Sequence, residues 1–183
     1  MTTEEKLQYL LDRAEIQERI AIYGLGQDFH QPGFGNQDSY AEWSEVFTDD
    51  VEIDVSDVVP IPPINLAQYI EMMRGKDGAG GGLDADFRVW AHLEHPVKIA
   101  IDGDDASSIS LHIHQHETKD STGNTAAVGY WFDRWRRTPA GWRIVHRRIK
   151  QLYFNTAQLI ATPGMMAGVE QPFVVKEPGF APV

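Results

Sequence analysis

The chain has 183 residues, a formal net charge of −11 and no cysteine, with 42% hydrophobic residues. That length suits one globular domain whose core needs no covalent staples, and the missing thiols exclude disulfides, thiolate metal sites and a cysteine nucleophile. The acidic balance argues against nucleic acid and anionic membrane as partners, and no stretch approaches the ~20 apolar residues that span a bilayer.

The N-terminal MTTEEKLQYLL has neither a basic start nor an apolar run, which predicts a cytoplasmic protein. Thr2 and Glu5 have capping-box spacing and open a helix. Leu7, Leu10, Leu11 and Ala14 follow helical spacing and predict one apolar stripe. Asp12 and Glu15 repeat the capping pattern, so a short helix followed by a longer one is expected. Ile16, Ile20 and Tyr23 continue its apolar face, and Gly24 and Gly26 loosen its end. After the loop HQPGFGNQD, Asp38 caps a short helix within DSYAEWSEVF, and VEIDVSD alternates as a half-buried strand. The prolines of VVPIPPI deny it regular structure. Asn65 caps a helix over LAQYIEMMR, and GKDGAGGG is a loop; these two flanking segments are candidates for a lid.

From Phe87 the texture changes to strands. RVWAHLEHPVKIAI, SISLHIHQHETKD, TAAVGYWFDRWRR and WRIVHRRIKQLYF are separated by the turns DGDDA, STGN and TPAG. Long segments joined by tight turns predict an antiparallel meander. Helices followed by a sheet make the fold class α+β. One domain is expected over 1–183, with its core at about 12–155 and an irregular tail over 156–183. The basic run Arg134, Arg136, Arg137, Arg143, Arg147 and Arg148 reads as solvated strand faces paired with acids.

Several segments resemble the SnoaL-like (nuclear transport factor 2-like) family in order and spacing: DRAEIQERIAIYGLGQD, EWSEVFTDDVEIDVSD, HLEHPVKIAIDGDDA and GYWFDRWRRTPAGWRIVHRR. The resemblance runs from about Asp12 to Tyr153. It implies a cone-shaped α+β barrel of the cystatin-like kind, with N-terminal helices packed in a strongly curved antiparallel sheet around a mostly apolar cavity. Family enzymes include scytalone dehydratase, bile-acid 7α-dehydratase, a hexachlorocyclohexane dehydrochlorinase and polyketide cyclases. By position Asp28 matches the family aspartate, His92 the family histidine and Tyr23 an upstream tyrosine. Gln27 stands where scytalone dehydratase has a tyrosine directly before its aspartate. The resemblance also implies a homodimer or homotrimer and no cofactor.

A neutral imidazole at His92 can take or give a proton near neutral pH, and Asp28 can orient it. Tyr23 and Asp28 are five residues apart, so a regular helix separates them; Gly24 and Gly26 are expected to bend the chain and turn both inward. His112, His114 and His116 alternate on one strand and share a face. The resemblance makes His114 the second catalytic histidine, with His112 and His116 beside it at the substrate. Phe29, Trp43, Trp90, Tyr130 and Phe132 are candidate lining for a flat hydrophobic ligand. A metal enzyme built on His-x-His with Glu117 is a third and less favoured reading, because the spacing to Glu117 is shorter than cupins use and the helical N-terminal third does not suit a cupin. The expectation is a cofactor-independent lyase or isomerase acting on a steroid, polyketide or aromatic catabolite. A non-catalytic ligand-binding or assembly module is the alternative.

Overall fold

The computed structural model describes residues 1–31, 39–76, 81–120 and 123–158. The cap Asp38, most of the loop HQPGFGNQD, the centre of GKDGAGGG, the tip of STGN and the tail from 159 lie outside the described residues. Three helices come first: α1 (Thr3–Asp28), α2 (Ser39–Ser44) and α3 (Leu66–Arg74), with strand β1 (Phe47–Asp54) before α3. A 3₁₀ turn over Leu83–Asp86 leads into β2 (Phe87–Asp102), β3 (Asp105–Thr118), β4 (Gly123–Thr138) and β5 (Gly141–Gln158).

Thr2 and Glu5 close the expected capping box. The expected break at Asp12 does not occur, and α1 runs unbroken for 26 residues. Asp12 is a tertiary anchor instead of a cap. Its carboxylate takes a two-pronged hydrogen bond from Arg137, at 2.6 and 2.8 Å, and a third from Trp142 Nε1 at 3.1 Å. The stripe of Leu7, Leu10, Leu11 and Ala14 faces outward, with the three leucines 56–60% exposed. The buried face is Asp12, Ile16, Ile20, Tyr23 and Gln27, which keeps the 3.6-residue period one notch around the helix. Burying Ile16 and Ile20 contributes roughly 1.5–3 kcal/mol each.

Gly24 and Gly26 do not bend α1. A Cβ on Gly24 would stand 2.9 Å from Glu94 Cγ, and one on Gly26 would stand 2.6 Å from Trp43 Nε1. These glycines let strand β2 and helix α2 approach the helix backbone closely.

The sheet order is β1-β5-β4-β3-β2. The four long strands form the expected meander, with Gly103 and Gly141 at positive φ (62° and 95°) in its turns. β1 adds to the far edge in parallel to β5, so the sheet is mixed and open. Register shifts in β2, β4 and β5 curl it around α1. The last strand extends through 156–158, which the sequence reading gave to the tail; Thr156 pairs with Thr125. The core packs Ile16, Ile20, Tyr23, Trp43, Trp135 and Trp142 between helices and sheet. Among the described residues no helix is long and apolar enough to cross a membrane.

The basic run divides. Arg136 and Arg137 pair with acids at the surface, as expected. Arg147 does not: it is fully buried and makes a bidentate pair with Asp133, at 2.7 and 2.9 Å. A register shift between Arg134 and Trp135 in the β4–β5 ladder flips the strand parity and turns Arg147 inward beside Ile149.

Candidate active site

β2 is an edge strand, so every second backbone N–H along it needs a partner outside the sheet. The end of α1 and the turn just after it supply one each. Gln31 accepts from Trp90 N at 3.1 Å and donates to Trp90 O at 2.9 Å, mimicking a strand. The two Asp28 carboxylate oxygens accept from His92 N, at 2.9 and 3.1 Å. Edge satisfaction thereby fixes His92 over Asp28, and the ring Nδ1 completes the contact at 2.8 Å from Asp28 Oδ1.

Strand alternation sends Trp90, His92 and Glu94 to the same side of β2. Across the ladder they face His116, His114 and His112 of β3 respectively. Glu94 and His112 form a second carboxylate–imidazole pair, with 2.5 Å between Glu94 Oε1 and His112 Nδ1. Both side chains of that pair are almost fully buried. His116 Nδ1 lies 2.8 Å from Thr125 Oγ1 and its ring stacks on Phe87. Thus His92, His112 and His116 each have Nδ1 engaged by a neighbouring side chain, which leaves Nε2 for other partners.

These rings line a cavity of about 380 Å³. Its other walls come from Val58 and Val59 after β1, from Tyr69, Met72, Met73 and Arg74 of α3, from Trp131 of β4 and from Phe154 of β5. The floor is polar. Arg74, 1% exposed, donates to Gln27 O at 3.1 Å and Gln27 Oε1 at 2.9 Å, and Trp90 Nε1 donates to the same backbone oxygen at 2.7 Å. Those donors satisfy a carbonyl that the end of α1 leaves without an intrahelical partner.

Burial pushes the Asp28 carboxyl up to about 6, against the pull of the His92 N–H and the Arg74 charge. Burial, reinforced by the neighbouring imidazoles and Arg74, holds His92 well below its ordinary value. Burial and the neighbouring imidazoles lower His114 to about 2, and burial with His112 lowers His116 to about 4 against the pull of Asp28. His92, His114 and His116 are therefore neutral imidazoles at neutral pH. Because the Asp28 carboxylate only accepts, the proton of His92 sits on Nδ1 and the Nε2 lone pair is free for a substrate proton.

The structure brings Asp28, His92, Trp90, His112, His114 and His116 together around the cavity. The other expected residues stand elsewhere. Tyr23 lies behind the wall, fully buried; its hydroxyl is 2.6 Å from that of Tyr69 and accepts from Gln27 Nε2 at 3.0 Å. α1 stays helical through Gln27, so Tyr23 and Asp28 remain on separate faces. Trp43 is core, stacked on Tyr23. Phe29 caps α1 and is 38% exposed. Tyr130 and Phe132 share the parity of the exposed Arg134 on β4, so they belong to the outer face, and Trp131 takes the inner position.

Tyr69, Trp131, Arg74 and Glu94 were not foreseen. Glu94 was findable, because it lies two residues after His92 on an alternating strand. Glu117, weighed as a metal ligand, pairs with Arg88 instead, at 2.6 and 3.2 Å. One ring nitrogen from each of His92, His114 and His116 lies within 4.8 Å of the others, so among the described residues those three form a set able to hold a cation.

Comparison with known proteins agrees with this architecture. The model of the SnoaL-like domain matches residues 8–148. An uncharacterized protein of Mycobacterium tuberculosis, Rv2910c, is 29% identical over 143 residues, covering 75% of this chain and 88% of the relative. The crystal structure of an NTF2-like protein with a cystatin-like fold from Novosphingobium aromaticivorans superposes with a TM-score of 0.60 at 27% identity, over 90% of this chain and 92% of that one. Hexachlorocyclohexane dehydrochlorinase LinA-type3 from Novosphingobium barchaimii superposes at 0.66 with 14% identity, over 85% and 96% of the two chains, which is a likeness of fold.

Proposed function

We propose, for a chain that belongs to the SnoaL-like domain family, a cofactor-independent lyase or isomerase activity on a small hydrophobic molecule that carries a hydroxyl or ketone. The observation that carries this reading is the 2.8 Å contact between Asp28 and His92 Nδ1, with His92 facing an apolar cavity of a size for one such molecule. His92 Nε2 takes a proton from the carbon beside a carbonyl or leaving group. Asp28 fixes the tautomer and stabilises the imidazolium that forms. The His92 imidazolium then gives that proton to the departing or enolic oxygen, while His112, held by Glu94 with its ring centroid 5.7 Å from that of His92, lines the same side of the cavity. His114, between the two, is within reach of the same oxygen, and Tyr69 takes the place at the wall that the sequence reading gave to Tyr23.

The apolar walls from Val58, Met72, Met73 and Phe154 favour a steroid, polyketide or aromatic catabolite. The test is turnover over a panel of hydroxylated ketones and steroids. His92→Ala and Asp28→Asn should each lose about 10²–10⁴ in rate while retaining ligand binding. Variants as active as the parent would sink the dyad. Leu93 and Val97 of the edge strand β2 and Leu152 of β5, all more than half exposed, support a homodimer or homotrimer, which light scattering reads directly. A monomer at working concentration would refute that part.

A further inference from the structure

We infer that His92, His114 and His116 form a binding site for a late first-row divalent cation of zinc-like ligand preference, and that an ion seated there removes His92 Nε2 from proton transfer. The inference shares His92 with the acid–base reading but does not rest on the reaction.

The argument starts from strand geometry. His114 and His116 are two residues apart on β3, so their rings leave the sheet on the same side. His92 lies directly across the ladder from His114. Two histidines from one strand and a third from its neighbour make a triangular array, with ring centroids 5.3, 4.6 and 6.0 Å apart. One nitrogen from each ring already lies within 4.8 Å of the others. Tetrahedral coordination at a Zn–N distance of about 2.0–2.1 Å needs nitrogen separations of roughly 3.4 Å. Coordination therefore requires a small side-chain rotation shared among the three rings.

The second shell fits as well. Ligating imidazoles characteristically have their other nitrogen bound to a carboxylate, carbonyl or hydroxyl, which fixes ring orientation and raises ligand basicity. His92 Nδ1 is held by Asp28 and His116 Nδ1 by Thr125, both at 2.8 Å. An all-imidazole set suits zinc, cobalt, nickel and copper and disfavours magnesium and calcium, which want oxygen. A three-histidine set leaves a fourth position open toward the cavity.

Tag-free protein stripped with a chelator and titrated with Co(II) tests the site. The expected result is one equivalent bound, with the visible absorption of a four- or five-coordinate ion, displaced by Zn(II). His114→Ala and His116→Ala should each lose at least about tenfold in affinity, and Asp28→Asn about 10–100-fold. His112→Ala should hold within about twofold, since that ring lies outside the triangle. X-ray absorption on the unaltered protein counts the ligands independently of whether any variant folds, and three imidazoles are expected. Fewer than three, no visible band, or an affinity unchanged in both His114→Ala and His116→Ala overturns the site. Turnover by the metal-free protein tests the dyad separately, so either reading can fail alone.

Discussion

Replacing Asp28 by asparagine should strengthen the fold while disabling the base. Asp28 is partly buried, its side chain 21% exposed, and burial raises its carboxyl from 3.8 to about 6. A carboxyl whose folded value is raised binds more protons in the native than in the unfolded state between those two values. Ionising it therefore costs the native state about 2–3 kcal/mol at neutral pH, a cost that fades as pH falls from 6 toward 4. Asparagine is isosteric and uncharged. Its Oδ1 can still accept from His92 N, and its Nδ2 can donate to Nδ1 once the ring moves its proton to Nε2. One of the two contacts from His92 N is lost and the other bonds survive, but the Nε2 lone pair is gone. Urea unfolding of chelator-treated protein should show Asp28→Asn more stable than the parent by about 1–3 kcal/mol near neutrality, and equal to it near pH 4. Destabilisation by more than about 1 kcal/mol at neutral pH would refute the reasoning, because the carboxylate would then be stabilised in place.

Two further outcomes follow from the scaffold. Asp12 is held down to about 2, first by its hydrogen bond from Arg137, so its contribution is complete above about pH 4 and is lost as pH falls toward 2. Asp12→Asn should cost roughly 1–2 kcal/mol at neutral pH, discounted for the partial exposure of Arg137, and the difference from the parent should vanish in acid unfolding titrations. Gly26→Ala drives a methyl into the indole of Trp43, which is fully buried and cannot swing aside. It should cost about 1–3 kcal/mol by thermal or urea unfolding, and an unchanged midpoint would show that α2 yields freely.

Local chemistry made much of this fold readable. Helix α3 was legible because Asn65 and Gln68 form a complete capping box between proline- and glycine-rich flanks. The hairpin between β2 and β3 and that between β4 and β5 were legible from turns that need glycine at positive φ. The histidine face of β3 followed from strand alternation alone. The rest depended on contacts distant in sequence. Asp12 has the spacing of a helix cap, but a bidentate arginine 125 residues away keeps it inside one long helix. Arg147 shares its composition with the surface arginines around it, and only the displaced register turns it inward. Tyr130 and Phe132 were placed one residue out of phase, since nothing short of knowing that Trp131 and Asp133 face inward sets the parity of β4. The parallel partner of β1 leaves no local mark on either strand.

Base catalysis by this pair requires a neutral His92 whose proton is on Nδ1 and whose Nε2 faces the cavity. Long-range proton–nitrogen correlation spectra of metal-free protein, assigned through His92→Ala, read that tautomer directly at neutral pH. A pyrrole-type Nδ1 and a pyridine-type Nε2 are expected, with the pattern exchanged in Asp28→Asn. A resting Nε2–H tautomer, or an imidazolium at neutral pH, would contradict it.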